Sequence, residues 1–170
     1  MKAFEYAAPT SVEDAQKALA GSDEGAFLSG GTDLLSRMKD YVTSPSRVVY
    51  LKDVPSGAPL GYGAAFYTRR PSRIATVPVG YADGLSRALS NRGRAIVNDQ
   101  YARIVGNISM DLSLLDVTDI PGVAVGDEVI LIGKSGHCSI SALGIAQQLN
   151  TVPYEVLCSI GKRVPRIYVE

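Results

Sequence analysis

The sequence is poor in the groups from which many active sites are built. It has one histidine, His137, and two cysteines, Cys138 and Cys158, in 170 residues. A structural zinc site wants about four Cys or His ligands at close spacing, so no metal centre is expected. Two thiols behind a Met-Lys-Ala-Phe-Glu-Tyr start, which is no export signal, predict a reduced, cytoplasmic protein without a disulfide framework. His137 lies in Lys134-Ser135-Gly136-His137-Cys138, which reads as a solvated turn and not as a reactive dyad. Excess charge of one sign is also missing. Lys plus Arg and Asp plus Glu both number 17, which removes the electrostatic case for nucleic acid or for an anionic membrane. No apolar run approaches the ~20 residues that span a bilayer.

What is present is a core. Apolar residues make up 46% of the chain, which excludes disorder as the default. The length suits one domain, or one with a small appendage.

Residues 1–45 read as a small β-α-β-α lobe. Phe4 and Tyr6 alternate with polar positions as in a short strand. Thr10 to Asp14 offers a capping box for a helix carrying Val12, Ala15 and Leu19 on one face, and Gly21 ends it. Ala26 to Leu28 is a second strand. Ser29-Gly30-Gly31-Thr32-Asp33 turns into a second helix, in which Leu34, Leu35, Met38, Tyr41 and Val42 repeat with a 3.6-residue period.

From residue 46 the texture is mainly β. Strands are expected at 47–51, 62–67, 73–79, 95–97, 102–105, 112–117, 128–132 and 166–169. Gly and Pro punctuate them at short spacing, which predicts a β barrel or sandwich over 46–170. One helix interrupts the series near 141–149. Ser141 is its N-cap, Ile140 and Ile145 form a hydrophobic staple, and Asn150 is its terminator.

Several segments of this region occur in an order that resembles the C-terminal domain of alanine racemase, a pyridoxal phosphate enzyme. They are Val54-Pro55-Ser56-Gly57, Gly61-Tyr62-Gly63, Arg73 to Gly84, Ile104 to Asp111, Val125 to Val129 and Lys162 to Arg166. Met1 to Tyr6 and Ser29 to Leu34 resemble the opening of the FAD-binding subunit of molybdenum hydroxylases. There the Gly-Gly-Thr-Asp turn lies against the FAD diphosphate. Both resemblances accommodate Arg47 to Pro55, which suggests a fusion of two truncated pieces.

Read by themselves, Tyr81 is a packed or turn tyrosine, Asp83 a turn former and Met110 a core filler. The racemase resemblance implies more. Racemisation needs proton-transfer groups on both faces of the substrate Cα. In that family the cofactor lysine serves one face, and the tyrosine in the Tyr81 context serves the other from the neighbouring subunit. The backbone N–H at Met110 would face the substrate carboxylate, with Asp111 beside it. Asn107 stands where many members of the family carry arginine. Tyr154 would hydrogen-bond the cofactor phosphate. The FAD resemblance implies that Gly30, Gly31 and Thr32 present backbone N–H groups to a phosphate. A helix start capped by Thr32 or Asp33 is the alternative, and FAD binding is not expected.

The family's cofactor lysine lies on a (β/α)8 barrel of about 250 residues. The six lysines here, Lys2, Lys17, Lys39, Lys52, Lys134 and Lys162, have no matching context, although pyridoxal phosphate chemistry needs such a residue. The isolated chain is therefore expected to be inactive and not to hold the cofactor. Three roles stay open: a half-site donor to a separate cofactor-binding barrel, a non-catalytic structural or oligomerisation module, and a vestigial nucleotide-binding fragment. A homo-oligomer is expected, because apolar surface left bare by a missing barrel needs covering.

Overall fold

In the computed structural model the chain divides into two units, Met1–Val42 and Thr43–Glu170. The structure describes residues 47–167. The expected β-α-β-α lobe and its Gly30-Gly31-Thr32 turn lie outside the described residues.

Ten strands follow in chain order: β1 (Tyr50–Val54), β2 (Pro59–Leu60), β3 (Phe66–Tyr67), β4 (Ser72–Val77), β5 (Arg94–Val97), β6 (Gln100–Val105), β7 (Ser113–Asp116), β8 (Val129–Ile130), β9 (Gly133–Ser135) and β10 (Cys138–Ile140). Two helices close the series, α1 (Ala142–Leu149) and α2 (Pro153–Cys158). Six strands form one antiparallel sheet in the order β1-β4-β7-β6-β5-β8. Its two outer edges meet. Arg47, just before β1, bridges Glu128, just before β8. The Val48 N–H donates to Asp127 O at 2.9 Å, and the Gly126 N–H donates to Val48 O at 2.8 Å. This contact curls the sheet toward a barrel at one end of the seam, while β1 itself pairs with β4 and β8 with β5.

Alternation along the strands sorts the side chains into two apolar layers. Ala75 and Val77 of β4, Ala102 and Ile104 of β6, and Leu115 of β7 point into the barrel, with Val48, Ala95, Val97 and Val129 in the same cluster. The intervening Ile74, Val105 and Leu114 point outward and are covered by Leu60 and Phe66 of the β2–β3 hairpin. The hairpin makes both faces of this part of the sheet apolar.

The expected helix forms. Ser141 Oγ accepts from the Gly144 N–H at 3.0 Å, Ile140 and Ile145 are both buried, and Asn150 closes the helix in the left-handed conformation at φ 55°. A second helix, α2, carries Tyr154 and was not expected from the sequence. Pro153 occupies its first turn, where a missing N–H costs nothing. Residues 62–64 form a 3-10 turn and not the expected strand, because Gly61, Gly63 and Ala64 all have positive φ. Arg166 and Ile167, placed in a terminal strand by sequence, carry no strand pairing. His137 sits exposed in the β9–β10 turn.

Candidate functional site

The sequence from Val79 to Gly84 folds as a tight turn because two glycines permit it. Gly80 approaches the backbone of residues 109–110 so closely that a Cβ there would stand 2.3 Å from both Ser109 O and Met110 O. That contact lets the Tyr81 N–H donate to Ser109 O and the Ala82 N–H donate to Met110 O, each at 3.0 Å. Gly84 takes φ 110°, and a Cβ on it would stand 2.4 Å from Ser159 O. Asp83 behaves as the turn former expected from sequence: its Oδ2 accepts from the Gly80 N–H at 2.9 Å. Tyr81 is left 46% exposed and Met110 48% exposed. Met110 is therefore not the core filler that its chemistry alone suggests.

Asp111, next to Met110, is buried. Its Oδ1 accepts from Arg163 Nη2 at 2.7 Å, and Arg163 Nε lies 3.6 Å from Asp83 Oδ1. The Gly161 N–H also donates to Asp83 O at 3.1 Å. The C-terminal segment thus holds the Tyr81 turn and the Met110 turn together. Sequence reasoning noticed the Lys162-Arg163-Val164-Pro165-Arg166 string only as a resemblance. The signal it missed was a carboxylate following Met110 in an otherwise apolar stretch, which needs a cation once it is buried.

A second tyrosine turn leans on the same segment from the other side. Asn107 Nδ2 donates to Tyr62 O at 2.9 Å. A Cβ on Gly61 would stand 2.7 Å from Asn107 N. Asn91 completes the contact: its Nδ2 donates to Ala65 O at 3.1 Å and its Oδ1 accepts from the Gly106 N–H at 2.7 Å. Tyr62 is 58% exposed, on a turn where Gly61, Gly63 and Ala64 have φ 73°, 70° and 50°. Left-handed backbone at a non-glycine residue costs energy and is concentrated at functional sites. Sequence reading missed this because the apolar and aromatic composition of Tyr62 to Tyr67 reads as a strand.

Tyr154 does not join these two turns directly. It projects from the first turn of α2 and, among the described residues, is the most exposed of the large apolar or aromatic side chains, at 78%. The other end of α2 reaches the Tyr81 turn, where Ser159 Oγ donates to Gly84 O at 3.0 Å. Roughly 7–8 Å of helix axis separates Tyr154 from that contact. Elsewhere, Arg70 is hydrogen-bonded to Asp119. That bond and the Asp119 and Asp116 charges raise its pKa above the ordinary arginine value, so the guanidinium stays charged.

The described residues do not make a pyridoxal phosphate site. Tyr154 offers one exposed hydroxyl on a six-residue helix. The described lysines Lys52, Lys134 and Lys162 lie on β1, on β9 and in the C-terminal segment. No group of three or more His, Cys, Asp or Glu residues that could hold a metal occurs among the described residues. No helix among them is long and apolar enough to cross a membrane.

These features define a β-barrel domain that displays tyrosines and a polar backbone turn on an open rim. Residues 41–168 match the alanine racemase, C-terminal domain family, and the chain belongs to it. It is 48% identical over 143 residues to the alanine racemase of Halothermothrix orenii, covering 83% of this chain and 38% of that protein. It is 43% identical over 145 residues to alanine racemase 2 of Caldanaerobacter subterraneus subsp. tengcongensis, covering 85% and 37%. Among solved structures, the alanine racemase of Bartonella henselae with covalently bound pyridoxal phosphate superposes with a TM-score of 0.66 at 40% identity, over 72% of this chain and 33% of that one. The Bacillus anthracis enzyme with bound L-Ala-P gives 0.69 at 36%, over 74% and 32%. The chain thus spans little more than a third of the length of these curated relatives.

Proposed function

We propose that this chain is a half-site donor for amino-acid racemisation, presenting its rim to a cofactor-binding barrel carried by another polypeptide. The observation that supports the reading is that two exposed tyrosine turns are hydrogen-bonded to the same Asn107–Met110 segment. The rim supplies a phenol to one face of the substrate Cα and a backbone N–H at Met110 to its carboxylate. The cofactor belongs to the barrel, since the residues described here do not fit it. FAD is no part of this reading, and the FAD-like turn at Gly30, Gly31 and Thr32 has no role in it.

The family resemblance assigns proton transfer to Tyr81. A specific observation favours Tyr62 for that step: its turn carries a left-handed non-glycine residue, Ala64, whereas the positive φ of the Tyr81 turn falls on Gly84. In this version Tyr81 lines the same opening.

The exposed apolar side chains Leu143, Val152 and Leu157 on and between α1 and α2 are the surface that a barrel or a second copy would cover. A homo-oligomer is part of the proposal, and sedimentation of a clean monomer at high concentration would count against it. The functional test mixes the full chain with a racemase barrel that lacks its own C-terminal domain. D-alanine should form from L-alanine in the mixture and with neither component alone. Association without turnover would leave a structural module instead.

A further inference from the structure

We infer that Arg163 is a positioning residue that sets the register between the Tyr81 turn and the Met110 backbone. The inference takes its functional meaning from the half-site reading, but its primary test does not depend on activity. One guanidinium touches two carboxylates from different turns. Its Nη2 lies 2.7 Å from Asp111 Oδ1 and its Nε lies 3.6 Å from Asp83 Oδ1. Asp111 immediately follows Met110, and its side chain is 2% exposed. Asp83 closes the Tyr81 turn through the Gly80 N–H, and its side chain is 10% exposed. The planar fork of an arginine can satisfy acceptors in two directions at once, which the point charge of a lysine cannot.

Charge neutralisation alone would not need this arrangement. A cation beside Asp111 would suffice. What Arg163 adds is one cation shared by both turns, hydrogen-bonded to Asp111 and ion-paired with Asp83. The backbone bonds it supports are Tyr81 N–H to Ser109 O and Ala82 N–H to Met110 O. If the two turns slide apart, Tyr81 and the Met110 N–H no longer face a substrate in one geometry, although the barrel beneath stays folded.

The experiment uses hydrogen exchange at single amides in the full chain, comparing the natural sequence, Arg163→Met, and the double variant Arg163→Met with Asp111→Asn. Arg163→Met should lower the melting temperature and reduce protection of the Tyr81 and Ala82 amides by about tenfold or more, relative to Val105 in β6. The double variant removes the stranded buried charge. It should regain most of the melting temperature and leave Tyr81 and Ala82 unprotected. If Arg163→Met does not fold, the double variant against the natural sequence carries the comparison. Protection that returns together with the melting temperature would overturn the inference and leave Arg163 a mere counter-charge. Unchanged protection in Arg163→Met would overturn it as well. In the barrel mixture, the double variant should lower kcat by about tenfold or more. An inactive mixture with the natural chain would defeat the half-site reading, while the amide measurement would still judge Arg163.

Discussion

Inside the barrel, Ala95, Val97, Ala102 and Leu115 have no exposed surface, and Ile104 has 1%. At the rim, Tyr62, Tyr81, Met110 and Tyr154 each keep 46% or more. Tyr81 and Met110 lie only a few residues beyond β4 and before β7, yet different forces hold the two regions. The wall is fixed by apolar burial, at about 1.5–3 kcal/mol for each large side chain. The rim is fixed by single hydrogen bonds, by the Asp83–Arg163–Asp111 pairing and by glycines that let backbones touch. A stable wall lets the rim carry strained backbone and exposed phenols that could not sustain a fold by themselves.

The comparison would break first in the wall. Leu115→Ala or Ile104→Ala should cost about 2–5 kcal/mol in denaturant unfolding, because nothing nearby can refill the space. A cost below about 1 kcal/mol would mean that the interior is loosely packed and that the distinction from the rim is false. The next test is at the rim. Gly80→Ala forces a methyl against two carbonyl oxygens that belong to backbone, so it should cost about 1–3 kcal/mol. It should also release the Tyr81 and Ala82 amides in exchange measurements. Near-neutral behaviour would show that the two turns do not depend on contact.

Smaller effects sharpen the picture. Ser141→Ala removes the α1 cap and should cost about 1 kcal/mol in thermal unfolding, with no change at the Tyr81 amide. Tyr62→Phe and Tyr81→Phe should each change stability by no more than about 0.5 kcal/mol, as expected of exposed side chains away from the core. A large loss from either would mark that hydroxyl as structural, and its role in proton transfer would have to be withdrawn.

Most of the wall was legible in sequence because alternation, turn glycines and the Ser141 cap are local signals. The strands near 73–79, 95–97 and 102–105 and α1 follow from them, whereas the pattern left barrel and sandwich open and the resemblance pointed to the barrel. The rim was less legible. Tyr62 to Tyr67 has the apolar and aromatic composition of a strand, and only the backbone of Gly61, Gly63 and Ala64 shows a turn. The six-residue α2 is too short for a periodic signal. Gly80 and Gly84 are needed for contacts with residues 109–110 and 159, which local pattern cannot reveal. The Asp111–Arg163 pair spans 52 residues and forms only through tertiary packing. Tyr81 and Met110 were reached by resemblance, whereas Tyr62 and Arg163 emerged as site residues only from the geometry.

The most direct test of the central claim follows each enantiomer of alanine separately. The full chain is mixed with a racemase barrel lacking its C-terminal domain in deuterated water, and α-hydrogen exchange of L- and D-alanine is measured. A phenol serving one face of Cα predicts that Tyr62→Phe or Tyr81→Phe suppresses exchange of one enantiomer far more than the other. The loss should be about 10²–10⁴-fold, the range for a positioned acid or base. Equal exchange of both enantiomers with both variants, or full exchange by the barrel without this chain, would contradict the half-site account.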